Sequence, residues 1–309
     1  MADLLIGTAV PILLLMGIGF LSRKFEVLKQ GDERVLSSYV YYFALPALFL
    51  VDLTETAFTT ETLSFILAGV VPIFLVIIIY GLLYVIFGFS KNMFYLITLS
   101  TVLGSLAFFG IPFVTFAFPA TQNQQLATLA AATIGIVAIT VTITLLEFYR
   151  LGELPKLEGL NKVARRLTKN PLIISIVIGV LVSVGGIEIP SEISTFLHMV
   201  GGTTSAVAIF MLGAFLYGKK YVNLKLAVGL SLLRIVFLPT VALFTVGLFD
   251  LPTMHQSLLI LMNAMPVAVS LSVFSERYNF YRDTIASLTL ISSVGAIVYL
   301  NIWLAILGT

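Results

Sequence analysis

Phe108-Phe109-Gly110-Ile111-Pro112 and Asn263-Ala264-Met265-Pro266 each interrupt a hydrophobic stretch near its middle, at corresponding places in the two halves of the chain. Proline has no amide hydrogen and its ring collides with the preceding turn, so a helix must kink or unwind there. In hydrocarbon, unwound backbone survives only where protein covers it or a cavity faces it. Paired interruptions of this kind are the sequence pointer to a midplane binding site in secondary transporters. These two stretches therefore bear on fold class and site together.

Composition names the solvent. Of 309 residues, 59% are hydrophobic and 10% are charged, with a mean hydropathy of +1.09. Soluble domains carry about 25% charged residues, so a water-soluble protein is excluded. The apolar runs are long enough for helices of roughly 20 residues that cross a bilayer, and they lack the alternation of a membrane barrel. Cysteine is absent, which removes disulfides and thiolate metal sites. The expected fold is an all-α integral membrane protein.

Ten spans are expected, at roughly 3–22, 35–52, 62–89, 93–118, 124–148, 171–187, 193–217, 222–249, 254–276 and 284–307. The first is no cleavable signal, because Arg23 and Lys24 follow the apolar run. Counting loops alternately, every lysine and arginine except Arg234 falls on one side. Asp3, Asp52, Glu55, Glu61, Glu188, Glu192 and Asp250 lie on the other. The basic side is cytoplasmic by the positive-inside rule, so both termini are expected outside a cell membrane that the chain crosses many times. Residues 1–149 hold five spans, 150–170 form a charged cytoplasmic linker, and 171–309 hold five more. An odd number per half turns the second half over, which makes a 5+5 inverted repeat. The fourth and ninth spans then correspond, and are expected to unwind and cross at Pro112 and Pro266.

The chain resembles the auxin efflux carrier family, whose bacterial members include malate and malonate permeases. The likeness runs along nearly the whole length. It rests on Leu45-Pro46-Ala47-Leu48-Phe49, Gly110-Ile111-Pro112, Leu212-Gly213-Ala214, and Ala264-Met265-Pro266 through Glu276-Arg277-Tyr278. The resemblance implies a scaffold domain and a transport domain, each drawn from both repeats. It implies small organic anions as substrates, and motion of the crossing helices against the scaffold. Family members often carry asparagine where this chain has Ser105 and Ser270, and proline where it has Ala206.

Apart from that likeness, two half-helices meeting at a break turn partly positive N-terminal amides toward the gap. Such a gap holds a carboxylate without a basic side chain. The candidate binding residues are Ser105, Gly110, Pro112, Asn263, Pro266 and Ser270, with Ser272 also in reach. The plainer role for the serines and Asn263 is to bond neighbouring backbone or join helices. Arg234 is the single cation inside a span. A central arginine costs roughly 2.5–3.5 kcal/mol by insertion scales, so it faces the interior unless it snorkels. A structural or gating role is favoured for it, with Pro46 as a second candidate of that kind.

Asp52, Glu147, Asp250 and Glu276 fall at expected helix ends and read as solvated or dipole-capping charges. His198 and His255 read as interfacial. No cofactor or metal is expected, and no enzyme motif is present: no aspartate-rich pair, no H-E-x-x-H, no aspartyl dyad. The expected function is a secondary transporter or exchanger of small organic anions, with malate, malonate or an auxin-like acid as examples. Its partners are the anion and the lipid bilayer, with a second copy of the chain as a further candidate and nucleic acid excluded. The alternative is a sodium-coupled organic anion symporter of the bile-acid type, which needs carboxylate-rich sodium sites near the crossing.

Overall fold

The computed structural model describes residues 2–151, 165, 168–218 and 221–308. Most of the expected linker, residues 152–164 with 166 and 167, lies outside them. Every regular element among the described residues is a helix. Among those residues, five helices are long and apolar enough to cross a membrane, or six if the bent pair Arg282–Ala296 and Val298–Leu307 is one span.

In chain order the helices are α1 (Ala2–Lys24), α2 (Asp32–Tyr39), α3 (Leu45–Thr54), α4 (Thr60–Phe87), α5 (Lys91–Val102), α6 (Ile111–Ala117) and α7 (Thr121–Leu151). They continue as α8 (Pro171–Val184), α9 (Ser191–Leu216), α10 (Leu224–Leu232), α11 (Leu238–Val246), α12 (Thr253–Ala264), α13 (Val269–Tyr278) and α14 (Arg282–Leu307). Local chemistry sets several ends. Thr59 and Thr62 form a reciprocal capping box at the start of α4, and Gly88, at φ 61°, ends that helix in the left-handed conformation. Asn170 accepts from the Leu172 amide at 2.9 Å, and Pro171 takes the first helical position, where no amide hydrogen is needed.

Three wide turns join helices that sequence alone would draw as continuous. Val40–Ala44 lies between α2 and α3, Leu106–Gly110 before α6, and Leu233–Phe237 between α10 and α11; all three are π-helical. Each is followed by a proline at the second position of the next helix: Pro46, Pro112 and Pro239. One extra residue in the turn relieves the clash of the proline ring with the carbonyl four residues back. The helix bends there without losing helical form.

This corrects one expectation. At Pro112 the chain is helical, and the extended segment lies earlier, at Leu103–Ser105. The break in the second half is where Pro266 predicts it, between α12 and α13. Met265 has φ −57° and ψ 146°, the extended geometry that a following proline imposes.

Packing joins distant parts of the chain. Helix α1 lies on α9, and α3 lies on α8, α9 and α7. Helix α4 packs on α7 and α11, α10 on α14, and α11 on α12. Where α1 meets α9 the backbones nearly touch: a side chain at Gly19 would collide with the Phe210 carbonyl, and one at Gly213 with that of Met16. Small residues let membrane helices approach this closely.

Candidate functional site

Both breaks leave backbone groups that need partners, and the breaks supply them to each other. The Ser105 amide donates to the Pro266 carbonyl at 2.7 Å, and the Ala268 amide donates to the Leu103 carbonyl at 3.0 Å. Gly104 and Val267 thus form an antiparallel bridge. The Val267 amide is met from a third helix, donating to Ser292 Oγ on α14 at 3.2 Å.

Four helix ends converge on this bridge. Helices α5 and α12 arrive with their C-termini, whose last carbonyls have no intrahelical donor. Arg234, from the wide turn between α10 and α11, supplies donors to both. Its Nε donates to the Met265 carbonyl at 2.7 Å, and Nη1 to those of Thr101 at 2.7 Å and Val102 at 3.3 Å. The side chain is 0% exposed. Each helix C-terminus carries about half a negative elementary charge, so two of them match one guanidinium. Nη2 has no hydrogen-bond partner among the described residues. It lies against Gly104, where any Cβ would overlap it, so only glycine fits.

The other two ends are N-termini. The wide turn leading into α6 starts after Ser105, and α13 starts after Ala268. Their first amides have no acceptor within the helix and carry partial positive charge. Ser105 is 5% exposed and Ser270 half-buried. The structure therefore separates the charges at the bridge. Its negative ends are held by Arg234, and its positive ends carry the Ser105 and Ser270 positions.

The remaining candidates sit elsewhere. Gly110 packs against Met262 and Met265, and Pro112 is buried in the first turn of α6. Asn263 is 0% exposed, and its Nδ2 donates to the carbonyls of Leu259 at 3.0 Å and Gly69 at 3.4 Å, tying α12 to α4. Its Oδ1 has no partner among the described residues. Pro46 bends the second segment, where Leu48 backbone meets Gly201 of α9. Ser272 shares a hydrogen bond with Thr289 of α14 at 3.2 Å.

Three participants escaped the sequence reading. Gly104 has no local signal beyond being small. The hydroxyl face of α14, with Thr289 and Ser292 three apart, was a visible helical period that went unused. Asp52, expected as a solvated or dipole-capping charge at a helix end, is 1% exposed, because α7 covers it; Thr128 donates to its Oδ2 at 2.6 Å. Glu147 is likewise 2% exposed, with Tyr278 donating to Oε1 at 2.7 Å and Arg150 2.9 Å from Oε2. The side chain of Glu276 lies outside the described residues.

At the acidic end, a cavity of about 300 Å³ is lined by residues that include Glu55, Glu61, Gln125 and His255. Both histidines lie against carboxylates there: His198 Nε2 is 2.9 Å from Glu55 Oε1, and His255 Nδ1 is 3.2 Å from Glu61 Oε1.

Residues 4–304 match the family described as "Membrane transport protein". An uncharacterised transporter of Escherichia coli strain K12, YfdV, is 24% identical over 316 residues, covering 98% of each chain. An uncharacterised transporter of Methanocaldococcus jannaschii, MJ1031, is 25% identical over 307 residues, covering 94% of this chain and 95% of the other.

Proposed function

The chain belongs to the membrane transport protein family, of the auxin efflux carrier type, and on that premise we propose that it carries small organic anions across the cell membrane by alternating access. The substrates are carboxylates such as malate, malonate or an auxin-like acid. The chain crosses the membrane ten times as two inverted repeats of five, with the basic loops in the cytoplasm and both termini outside. Helices α1 to α3 with α8 and α9 are the scaffold, in keeping with their mutual packing. The crossing helices move against it.

The observation that carries this reading is the separation of charge at the bridge. Arg234 satisfies the two C-terminal ends, so the field left at the crossing is that of two open N-termini, about one positive charge in sum. A carboxylate fits that field and takes hydrogen bonds from backbone amides, as anions do at helix N-termini. Ser105 and Ser270 add hydroxyl donors. Gly110, Pro112 and Pro266 shape the path of the chain, and Asn263 anchors α12 to α4 beside it.

The test is uptake of labelled mono- and dicarboxylates into proteoliposomes, with proton or sodium gradients imposed. Uptake of a carboxylate, inhibited by other carboxylates and not by amines, is the expected result. Uptake driven by sodium alone would favour the bile-acid type of symporter. Transport or thermal stabilisation by neutral or cationic solutes, with none by carboxylates, would overturn the anion reading.

A further inference from the structure

We propose that Asp52 is the proton-carrying group of this carrier, which makes transport of the anion proton-coupled. The coupling rests on the anion reading above; the proton site itself does not. Asp52 lies in the last turn of α3, the helix end whose partial charge repels a carboxylate. It is 1% exposed, and no lysine or arginine bonds it among the described residues.

The contact with Thr128 can hold either protonation state. Thr128 Oγ1 is 2.6 Å from Asp52 Oδ2 and 3.0 Å from the Gln124 carbonyl, both of them acceptors. A hydroxyl has one hydrogen to give and can also accept. When Asp52 is ionised, Thr128 donates to it, and the Gln124 carbonyl keeps the backbone amide four residues on within α7. When Asp52 is protonated, its own O–H donates to Thr128, which donates in turn to Gln124. Both states satisfy the groups of this contact, so a proton can be gained or lost at Asp52 without breaking it.

A route to water lies one turn further along α3. Glu55 lines the cavity at the acidic end, and its side chain is 37% exposed. It bonds His198 of α9 at 2.9 Å and accepts from Gln125 of α7 at 3.0 Å. Glu55 and His198 are the charged groups facing Asp52. Among the described residues, α7 contributes Gln124, Gln125 and Thr128 here, and α8 contributes Ser183, which donates to the Thr56 carbonyl. The same α7 packs against the wide turn Leu106–Gly110 next to the bridge. A change in the Asp52–Thr128 contact is thereby connected to the crossing. One proton passes from the outer water to Asp52 Oδ2, and on this proposal is released on the cytoplasmic side in the opposite state of the carrier. Only O–H bonds form and break.

Two measurements test this. Infrared titration of the purified wild-type protein in lipid, without substrate, should show a protonated-carboxyl band that Asp52→Asn removes. Persistence of the full band in Asp52→Asn would overturn the proposal. In proteoliposomes, an inward proton gradient should drive accumulation of labelled malonate by the wild type. Asp52→Asn should reduce accumulation to the equilibrium level while malonate-for-malonate exchange continues, and Asp52→Glu should restore part of it. Gradient-driven accumulation by Asp52→Asn would also overturn the proposal. Should Asp52→Asn fail to fold, Thr128→Val keeps the carboxyl and must shift the pH at which the band titrates. No shift in Thr128→Val counts against the proposal. If the wild type moves no carboxylate at all, the anion reading fails, and the infrared titration still decides the proton site.

Discussion

Leu103–Ser105 and Met265–Ala268 pair with each other, yet they are broken by different causes. In the second segment Pro266 stands inside the break and forces Met265 into extended geometry. In the first, the nearest proline is seven residues away and produces only a wide helical turn. What holds Leu103–Ser105 open comes from elsewhere: the Pro266 carbonyl, the Ala268 amide, and a guanidinium that fits only because residue 104 has no side chain. One break is written locally, and the other is imposed by its partners. The comparison teaches that two breaks of similar shape can be enforced by different causes.

Arg234→Met should break the comparison most. It removes donors from both C-terminal ends and leaves buried carbonyls unpaired, at about 1.5–3 kcal/mol for each bond to a charged group. Thermal unfolding in detergent should drop steeply. Hydrogen exchange should rise more at Leu103–Ser105 than at Met265–Ala268, since only the latter has a proline. Equal loss of protection at both would deny the asymmetry.

Gly104→Ala should come next. It retains the charge but displaces the guanidinium, an overpacking cost of about 1–3 kcal/mol. A double variant with Arg234→Met should cost less than the sum of the two, because both act on one contact. Additive losses would mean that Gly104 serves something other than Arg234.

Ser105→Ala should cost about 0.5–1.5 kcal/mol in carboxylate binding, or up to about 3 if the acceptor is charged. Affinity in a scintillation-proximity assay then weakens from a few-fold to about a hundredfold while unfolding is unchanged. Ser105→Asn should keep transport, since it provides an amide donor at the same place. Unaltered binding by Ser105→Ala would remove that residue from the site.

The smallest change in stability is expected for the two prolines, about 1 kcal/mol or less each. Pro266→Ala should nonetheless lose most transport, because it frees Met265 to continue α12. Pro112→Ala should straighten the turn before α6 and keep measurable uptake. Equal loss of uptake in both would return the first break to Pro112.

Much was legible before any coordinates. The hydropathy runs, the prolines and the family motifs identify a helical membrane protein, and Pro266 marks one of the two breaks. The candidate site was half legible. Ser105, Pro266, Ser270 and Arg234 fall at or beside the bridge, whereas Asn263 ties α12 to α4 and Gly110 and Pro112 serve packing and bending. The break itself was misplaced by several residues, because a proline is visible in sequence and a glycine that admits a distant guanidinium is not.

Sequence by itself determined what depends on neighbours along the chain: solvent preference, helix ends with capping residues, and the strain that a proline ring puts on its own turn. Tertiary structure alone decided where Arg234 spends its hydrogen bonds, 133 residues away at Thr101 and 31 away at Met265. It alone buried Asp52 against Thr128, 76 residues on. The physical reason is the same in both cases. Local geometry follows from short-range sterics, while the partner of a buried charge is set by which helices the packed fold brings together.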